Sequence, residues 1–172
     1  DQYSVGYVNT LNQNMFEMST ELYYKNLQNQ LDYVDGAEVN TLADVESALL
    51  YGVGRAYGFE WLLKKKEGLF TGWVSYTLSK TERKINGINQ NNWYNAKQDR
   101  THDIAVVGIY TINSKWSVSG VFVYNTGDAV TFPTGKYAFQ GQTLYQYASR
   151  NANRMPDNHR FDISVTYDKM RK

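Results

Sequence analysis

His102 and His159 are the only histidines in this 172-residue chain, and there is no cysteine. Each histidine lies close in sequence to an arginine and an aspartate: Arg100 and Asp103 for the first, Arg160 and Asp162 for the second. A metal site would need a third ligand brought to the same place. With Asp99 added, the group reads more simply as a charged, hydrogen-bonded rim at the start of two strands, its ends held by cross-strand ion pairs. Glu17, Glu21 and Glu60 could be taken for an acid–base carboxylate set, but they fall in segments of alternating polarity, on the side that meets water. No nucleophile elbow, phosphate loop or zinc motif occurs. The expectation is therefore no catalytic residue, no metal and no cofactor. The lack of cysteine excludes a disulfide framework and thiolate ligation. A net charge of +1 with one basic block, Lys64-Lys65-Lys66, gives no clustered positive face for nucleic acid. That block reads as a solvated turn, with contact to lipid phosphates the sharper alternative.

The elements that carry these residues follow from an apparent contradiction. The chain is 15% aromatic, yet its mean hydropathy is −0.58. No apolar run approaches the ~18 residues of a membrane-spanning helix; the longest, such as Ile104 to Ile109, extend over a few residues. Strands with one apolar and one polar face reconcile the two facts, as in a transmembrane β-barrel. Strands are expected at residues 3–9, 15–25, 54–65, 70–80, 101–112, 116–125 and 160–168. Tight connections near 11–14, 67–69 and 113–115 alternate with long polar segments at 26–53, 82–100 and 127–158. Short turns at one end and long loops at the other is the asymmetry of outer-membrane barrels. One short helix is expected at 41–51, where Leu42, Val45, Leu49 and Leu50 recur at helical spacing behind Thr41.

Period-two patterning assigns the faces. Phe16, Leu22, Tyr24, Val74, Tyr76, Phe122, Tyr124, Ile163, Val165 and Tyr167 are expected on the lipid side. Glu17, Glu21, Glu60, Arg160 and Asp162 are expected in the lumen. The fifth strand is apolar on both faces, so its sidedness is open. Eight positions separate Phe16 from Tyr24 and Trp116 from Tyr124, about 26 Å of strand, or roughly 20 Å along the membrane normal once tilted, near the ~25 Å apolar band of such barrels. That places Phe16, Phe70, Tyr110, Trp116 and Tyr167 in a lower aromatic girdle and Tyr24, Tyr57, Tyr76 and Tyr124 in an upper one. Gly6, Gly58, Gly72, Gly108 and Gly120 recur inside strands, where they permit bends or close packing beneath an aromatic ring. Among loop aromatics, Trp93, Tyr94, Tyr137, Phe139, Tyr145 and Tyr147 are the candidates for ligand contact.

Seven strands are an odd number, and an open edge in lipid leaves backbone groups unpaired at several kcal/mol each. The sequence ends at Asp168-Lys169-Met170-Arg171-Lys172, which reads as the entry to a further turn. The expectation is an all-β, antiparallel up-and-down barrel portion covering residues 1–172, with further strands outside it and with its first and last strands not paired to each other. No signal peptide is visible at Asp1.

Several short motifs, in order, resemble the barrel of TonB-dependent receptors, especially those of Bacteroidetes. They are Gly54-Arg55-Ala56-Tyr57-Gly58-Phe59-Glu60 with Lys64-Lys65-Lys66-Glu67-Gly68; Thr71-Gly72-Trp73-Val74-Ser75-Tyr76-Thr77-Leu78-Ser79-Lys80; and Asp99-Arg100-Thr101-His102-Asp103. Tyr124-Asn125-Thr126-Gly127, Thr131-Phe132-Pro133-Thr134-Gly135, Arg154-Met155-Pro156-Asp157 and His159-Arg160-Phe161-Asp162 complete the set. The resemblance implies the C-terminal part of a 22-stranded barrel with a plug. It also implies import of a scarce ligand (glycan, peptide, iron chelate or cobalamin-like) energised by TonB. Implied partners are outer-membrane lipid, the protein's own plug and TonB through regions outside this sequence, and a surface lipoprotein. Neither plug nor TonB box is matched here, and a barrel does not identify its cargo. A small structural or adhesive outer-membrane barrel and a soluble carbohydrate-binding β-sandwich are the alternatives. The sandwich requires the apolar faces to pack against a second sheet.

Overall fold

The computed structural model describes residues 1–34 and 46–169. Twelve strands occur among them: β1 (Gln2–Leu11), β2 (Phe16–Tyr33), β3 (Leu49–Lys65), β4 (Phe70–Ile85), β5 (Tyr94–Asn95), β6 (His102–Thr111), β7 (Trp116–Asn125), β8 (Ala129–Val130), β9 (Pro133–Phe139), β10 (Gln142–Tyr147), β11 (Asn153–Arg154) and β12 (Asn158–Tyr167). The seven long strands form one antiparallel sheet in the order β1-β2-β3-β4-β6-β7-β12, with β5 added to β4. β9 pairs with β10 and β8 with β11 in two small separate sheets. β1 and β12 pair with β2 and β7 alone, so the sheet is open.

The three tight connections form for local reasons. Asn12, Gln13 and Asn14 all take positive φ, which Asn tolerates better than most residues, and the Met15 N–H closes the turn on the Asn12 carbonyl at 3.0 Å. Gly68 supplies a φ of 100° in the second. In the third, the Asn113 carboxamide accepts from the backbone of both Lys115 and Trp116 at 2.9 and 3.1 Å.

Register then fixes the faces across the whole sheet, because residues directly opposite share a side. Thr20, Trp61, Tyr76, Ile104, Tyr124 and His159 make one continuous row; Met18, Leu63, Val74, Val106, Phe122 and Phe161 make the next. All ten residues expected on the apolar side lie on this face. None is buried, and Leu22, Ile163, Val165 and Tyr167 each keep more than half their surface exposed. Glu17, Glu21, Glu60, Arg160 and Asp162 lie on the opposite, polar face by the same register. β6, ambiguous in sequence, is resolved: Ile104, Val106 and Tyr110 join the apolar face, Asp103, Ala105 and Val107 the polar one.

Three expectations need correction. The helix at 41–51 is not formed where it is described: Glu46–Ala48 is one 3-10 turn, and Leu49–Tyr51 already belongs to β3, paired with Tyr33 to Leu31. Its apolar spacing serves a strand whose Leu50 packs beneath a loop; Thr41 to Val45 lie outside the described residues. The long segments 26–53 and 82–100 are not all loop, since β2, β3 and β4 continue well past Lys25, Gly54 and Lys80. The segment 127–158 carries four short strands.

Candidate functional site at the loop end of the sheet

Every fully buried side chain among the described residues lies at the loop end. Ile85, Ile88 and Tyr94 form a small core with Leu50 packed against it, and Ala96, Ala129, Asp99 and Thr126 are buried beside it. Gly52 and Ile85 are register partners, two residues beyond Gly54 and Arg83 and four beyond Ala56 and Thr81, which places this core over the extension of the polar face. The loops after β4 and β7 therefore fold back across that face.

Two ion pairs hold them. Asp99 is 1% exposed and accepts the Thr81 N–H at 2.5 Å. Arg154 pairs with its carboxylate and also donates to the Asp99 carbonyl at 2.7 Å, the Gly127 carbonyl at 3.1 Å and the Thr101 hydroxyl at 3.0 Å. A buried carboxylate needs a partner with nearly all its donors engaged, and Arg154 provides one. The second pair crosses the sheet. Arg150 donates to the Asp32 carboxylate at 3.2 Å and to the Tyr33 carbonyl, while the Tyr94 hydroxyl donates to the other Asp32 oxygen at 2.7 Å. Burial first, then the Asp32 bond, pushes the Tyr94 phenol well above its ordinary value. Asn151 ties the same layer together, bonded to Asn95 at 2.8 Å and to the Thr131 hydroxyl at 2.9 Å. Gly127 is required here by contact: a Cβ would lie 1.9 Å from the Met155 carbonyl.

Below the loop layer the polar face carries a shallow hollow of about 330 Å³ floored by Gly6 and lined by Glu21, Glu60, Ser75 and Thr77. Glu21 and Glu60 are direct cross-strand partners, and Glu60, Thr77, Asp103 and Asn125 continue the row. Like charges placed opposite each other destabilise a sheet, so this acidic row is a feature that packing alone does not explain.

The apolar face ends in aromatic residues at both borders. Tyr24 stacks on Tyr57 at 6.4 Å, Tyr76 is hydrogen-bonded to His102 at 2.9 Å, and the Tyr124 hydroxyl donates to Asp157 at 2.5 Å. At the turn end Trp116 lies against Tyr167 at 4.7 Å, and the Lys65 ammonium sits about 6 Å from the rings of both Phe16 and Phe70. Tyr110 is half exposed beside them. The lysine run divides: Lys65 joins the apolar border, and Lys66 pairs with Glu17.

The six loop aromatics are not brought together. Trp93 lies against the Arg55 guanidinium at 4.3 Å, and Arg55 also sits 5.9 Å from the Tyr57 ring and pairs with Glu82 at 2.7 Å. Tyr94 is 4% exposed and belongs to the small core, so it has no surface to offer a ligand. Tyr137, Phe139, Tyr145 and Tyr147 stand together on the β9–β10 hairpin, each 56–58% exposed. The rim also pairs differently from expectation: Asp99 bonds Arg154, Arg100 bonds Asp128 at 3.1 Å, and Arg160 bonds Asp162 two residues along its own strand at 2.7 Å. His102 and His159 share the apolar face, on β6 and β12, with Tyr76 as the ring partner of the first. No cluster of three metal-ligating side chains is found among the described residues. Sequence reading missed Arg150, Arg154 and Asp32, because a pair 118 residues apart leaves no trace in local periodicity.

No protein-family model, curated protein or solved structure matches this chain.

Proposed function

We propose that this chain is a segment of the wall of an outer-membrane β-barrel that imports a ligand, of the TonB-dependent receptor kind, with the polar face as lumen and the loop layer across its mouth. The observation that carries the reading is the two-faced register. Seven strands make one side predominantly apolar from Phe16 to Tyr167, with Thr20 within it and Lys65, His102 and His159 toward its borders, and leave it uncovered. In water that surface would greatly exceed the few hundred Å² of apolar patch usual on a soluble monomer; in a bilayer it faces its natural solvent. The aromatic borders agree with the two interfacial girdles. The unpaired edges of β1 and β12 agree with a larger barrel whose other strands complete the ladder. Loops folded inward over a polar face suit a transporter mouth better than a purely structural barrel. A soluble sandwich would lay a second sheet on the apolar face, and none lies there among the described residues.

This chain contains no cysteine, so only a cysteine carried elsewhere in the full-length protein has to be replaced before the test. Single cysteines at Val74 and Ser75, adjacent residues on opposite faces, are introduced into the full-length protein in native membranes. A water-soluble maleimide should label Ser75→Cys readily, and a membrane-dissolved maleimide should label Val74→Cys. Equal labelling of both by the water-soluble reagent, or recovery of the protein without membrane, would overturn the proposal.

A further inference from the structure

The β9–β10 hairpin has no structural task in the sheet. Residues 132–147 are all exposed, and its strands pair only with each other. A lone two-stranded hairpin is marginal in water, yet this one is built to be stiff. Gln140 and Gly141 take φ of 49° and 79°, the turn that matches strand twist. The Thr134 hydroxyl donates to the Gln146 carbonyl at 3.1 Å, and the base is fixed where the Asn151 N–H donates to Thr131.

Both of its faces carry aromatic rings. Register puts Tyr137 opposite Leu144, with Phe139 on the same side; alternation along β10 sends Tyr145 to the other, and Tyr147 follows it beyond a register irregularity. At roughly 200 Å² per aromatic side chain, the four rings expose on the order of 450 Å². That is over half of the ~800 Å² each partner contributes to a standard protein interface. Lys136, opposite Tyr145, is the only charged residue from Phe132 to Tyr147.

We propose that this hairpin is a docking element that inserts into an apolar cleft of a separate folded protein, one with a carboxylate at the cleft's rim to meet Lys136. Shape decides the class of occupant. Small-ligand sites are concave, whereas this element is a ridge with rings on both sides. A sugar or peptide stacked on one face would leave the other bare. A cleft covers both, and the stiff turn reduces the ordering entropy that docking costs. The inference does not depend on which solvent meets the sheet, and it rests on the hairpin being uncovered by any other described residue of this chain.

The test places the photocrosslinking residue p-benzoylphenylalanine at Tyr137, at Tyr145, or at Lys115 at the far end of the sheet, in the full-length protein made in its own cells. The expected result is one and the same foreign polypeptide captured from Tyr137 and Tyr145 and not from Lys115. Its yield should fall at least fivefold when Lys136→Glu is added, with the protease resistance of the sheet unchanged. Adducts only within the same polypeptide or with a second copy of this chain, no adduct from either position, capture from one face alone, or capture indifferent to Lys136→Glu each overturn the proposal. So does a glycan array that binds the purified protein and loses binding in Tyr137→Ser and Tyr145→Ser, with no protein captured.

Discussion

The strand body and the loop layer are stabilised in opposite ways. From Phe16 to Lys25 and in the strands beside it, no side chain is fully buried; order comes from ladder hydrogen bonds and cross-strand neighbours. At the loop end the same sheet carries a small core and a buried carboxylate held by named partners. A sheet held by its ladder tolerates many sequences with the right alternation. A layer resting on Asp99 and Arg154 does not. Substitutions in the two regions should therefore fail differently.

The largest effect is expected at Arg154. Replacing it with Met leaves Asp99 buried without its guanidinium, a change that costs about 3–5 kcal/mol for a buried pair. The loss should be local. Limited trypsin digestion should cut at Lys136 or Arg150 within 127–157 far faster, while the strands keep their resistance. If sheet and loops melt together, the two regions are one cooperative unit and the contrast fails. Gly127→Ala should reproduce the phenotype, since its Cβ has no room against Met155.

Next comes the neighbouring pair Val74 and Ser75. On the membrane reading, Val74→Arg puts a charge into lipid near the middle of the apolar face, worth about 2–4 kcal/mol at a bilayer midplane. Ser75→Arg meets water and should cost a small fraction of that. Urea unfolding from lipid vesicles, followed by tryptophan fluorescence, measures both. Equal costs would remove the difference between the faces.

What was legible in the sequence divides along the same line. Alternation such as Phe161, Ile163, Val165 and Tyr167 against Arg160, Asp162 and Ser164 encodes a face directly, and the turn residues Asn12 to Asn14 and Gly68 mark the ends. The open edges followed from counting strands. The loop layer was not legible, because its logic is long-range. Leu49 and Leu50 at helical spacing are as compatible with a turn of helix as with the start of β3, and only the pairing with Tyr33 and Asp32 decides. Tyr94 looked like a ligand contact because nothing nearby shows that Asp32 and Ile85 would enclose it.

Tyr94→Phe sharpens the picture with a smaller effect. Losing one hydrogen bond to a carboxylate that keeps Arg150 should cost about 1.5–3 kcal/mol of loop stability, toward the lower end because Arg150 remains. The phenol's pKa is raised in the folded state, so its contribution is complete below pH ~10, the ordinary tyrosine value, and is lost as pH rises through the folded value. Wild-type loops should become protease-sensitive in strong alkali by a step that Tyr94→Phe lacks.

The smallest effect belongs to Asp157, at the border of the two regions. Its carboxylate accepts the Tyr124 hydroxyl, from the edge of the apolar face, and the Gly127 N–H at 3.1 Å, from the loop layer. The Tyr124 bond, then the Gly127 bond, holds its pKa below the ordinary carboxylate range. The sign follows from linkage: the contribution is present above the unfolded value near ~3.9 and disappears as pH falls through the lower folded value. The group is fully exposed, so solvent screens much of it. Asp157→Asn should therefore change the trypsin sensitivity of 127–157 less than twofold at neutral pH, and its digestion should lack the wild-type increase on acidification. A large effect at neutral pH would mean that the loop layer is anchored at this border as firmly as at Asp99, so that loops and sheet rise and fall together after all.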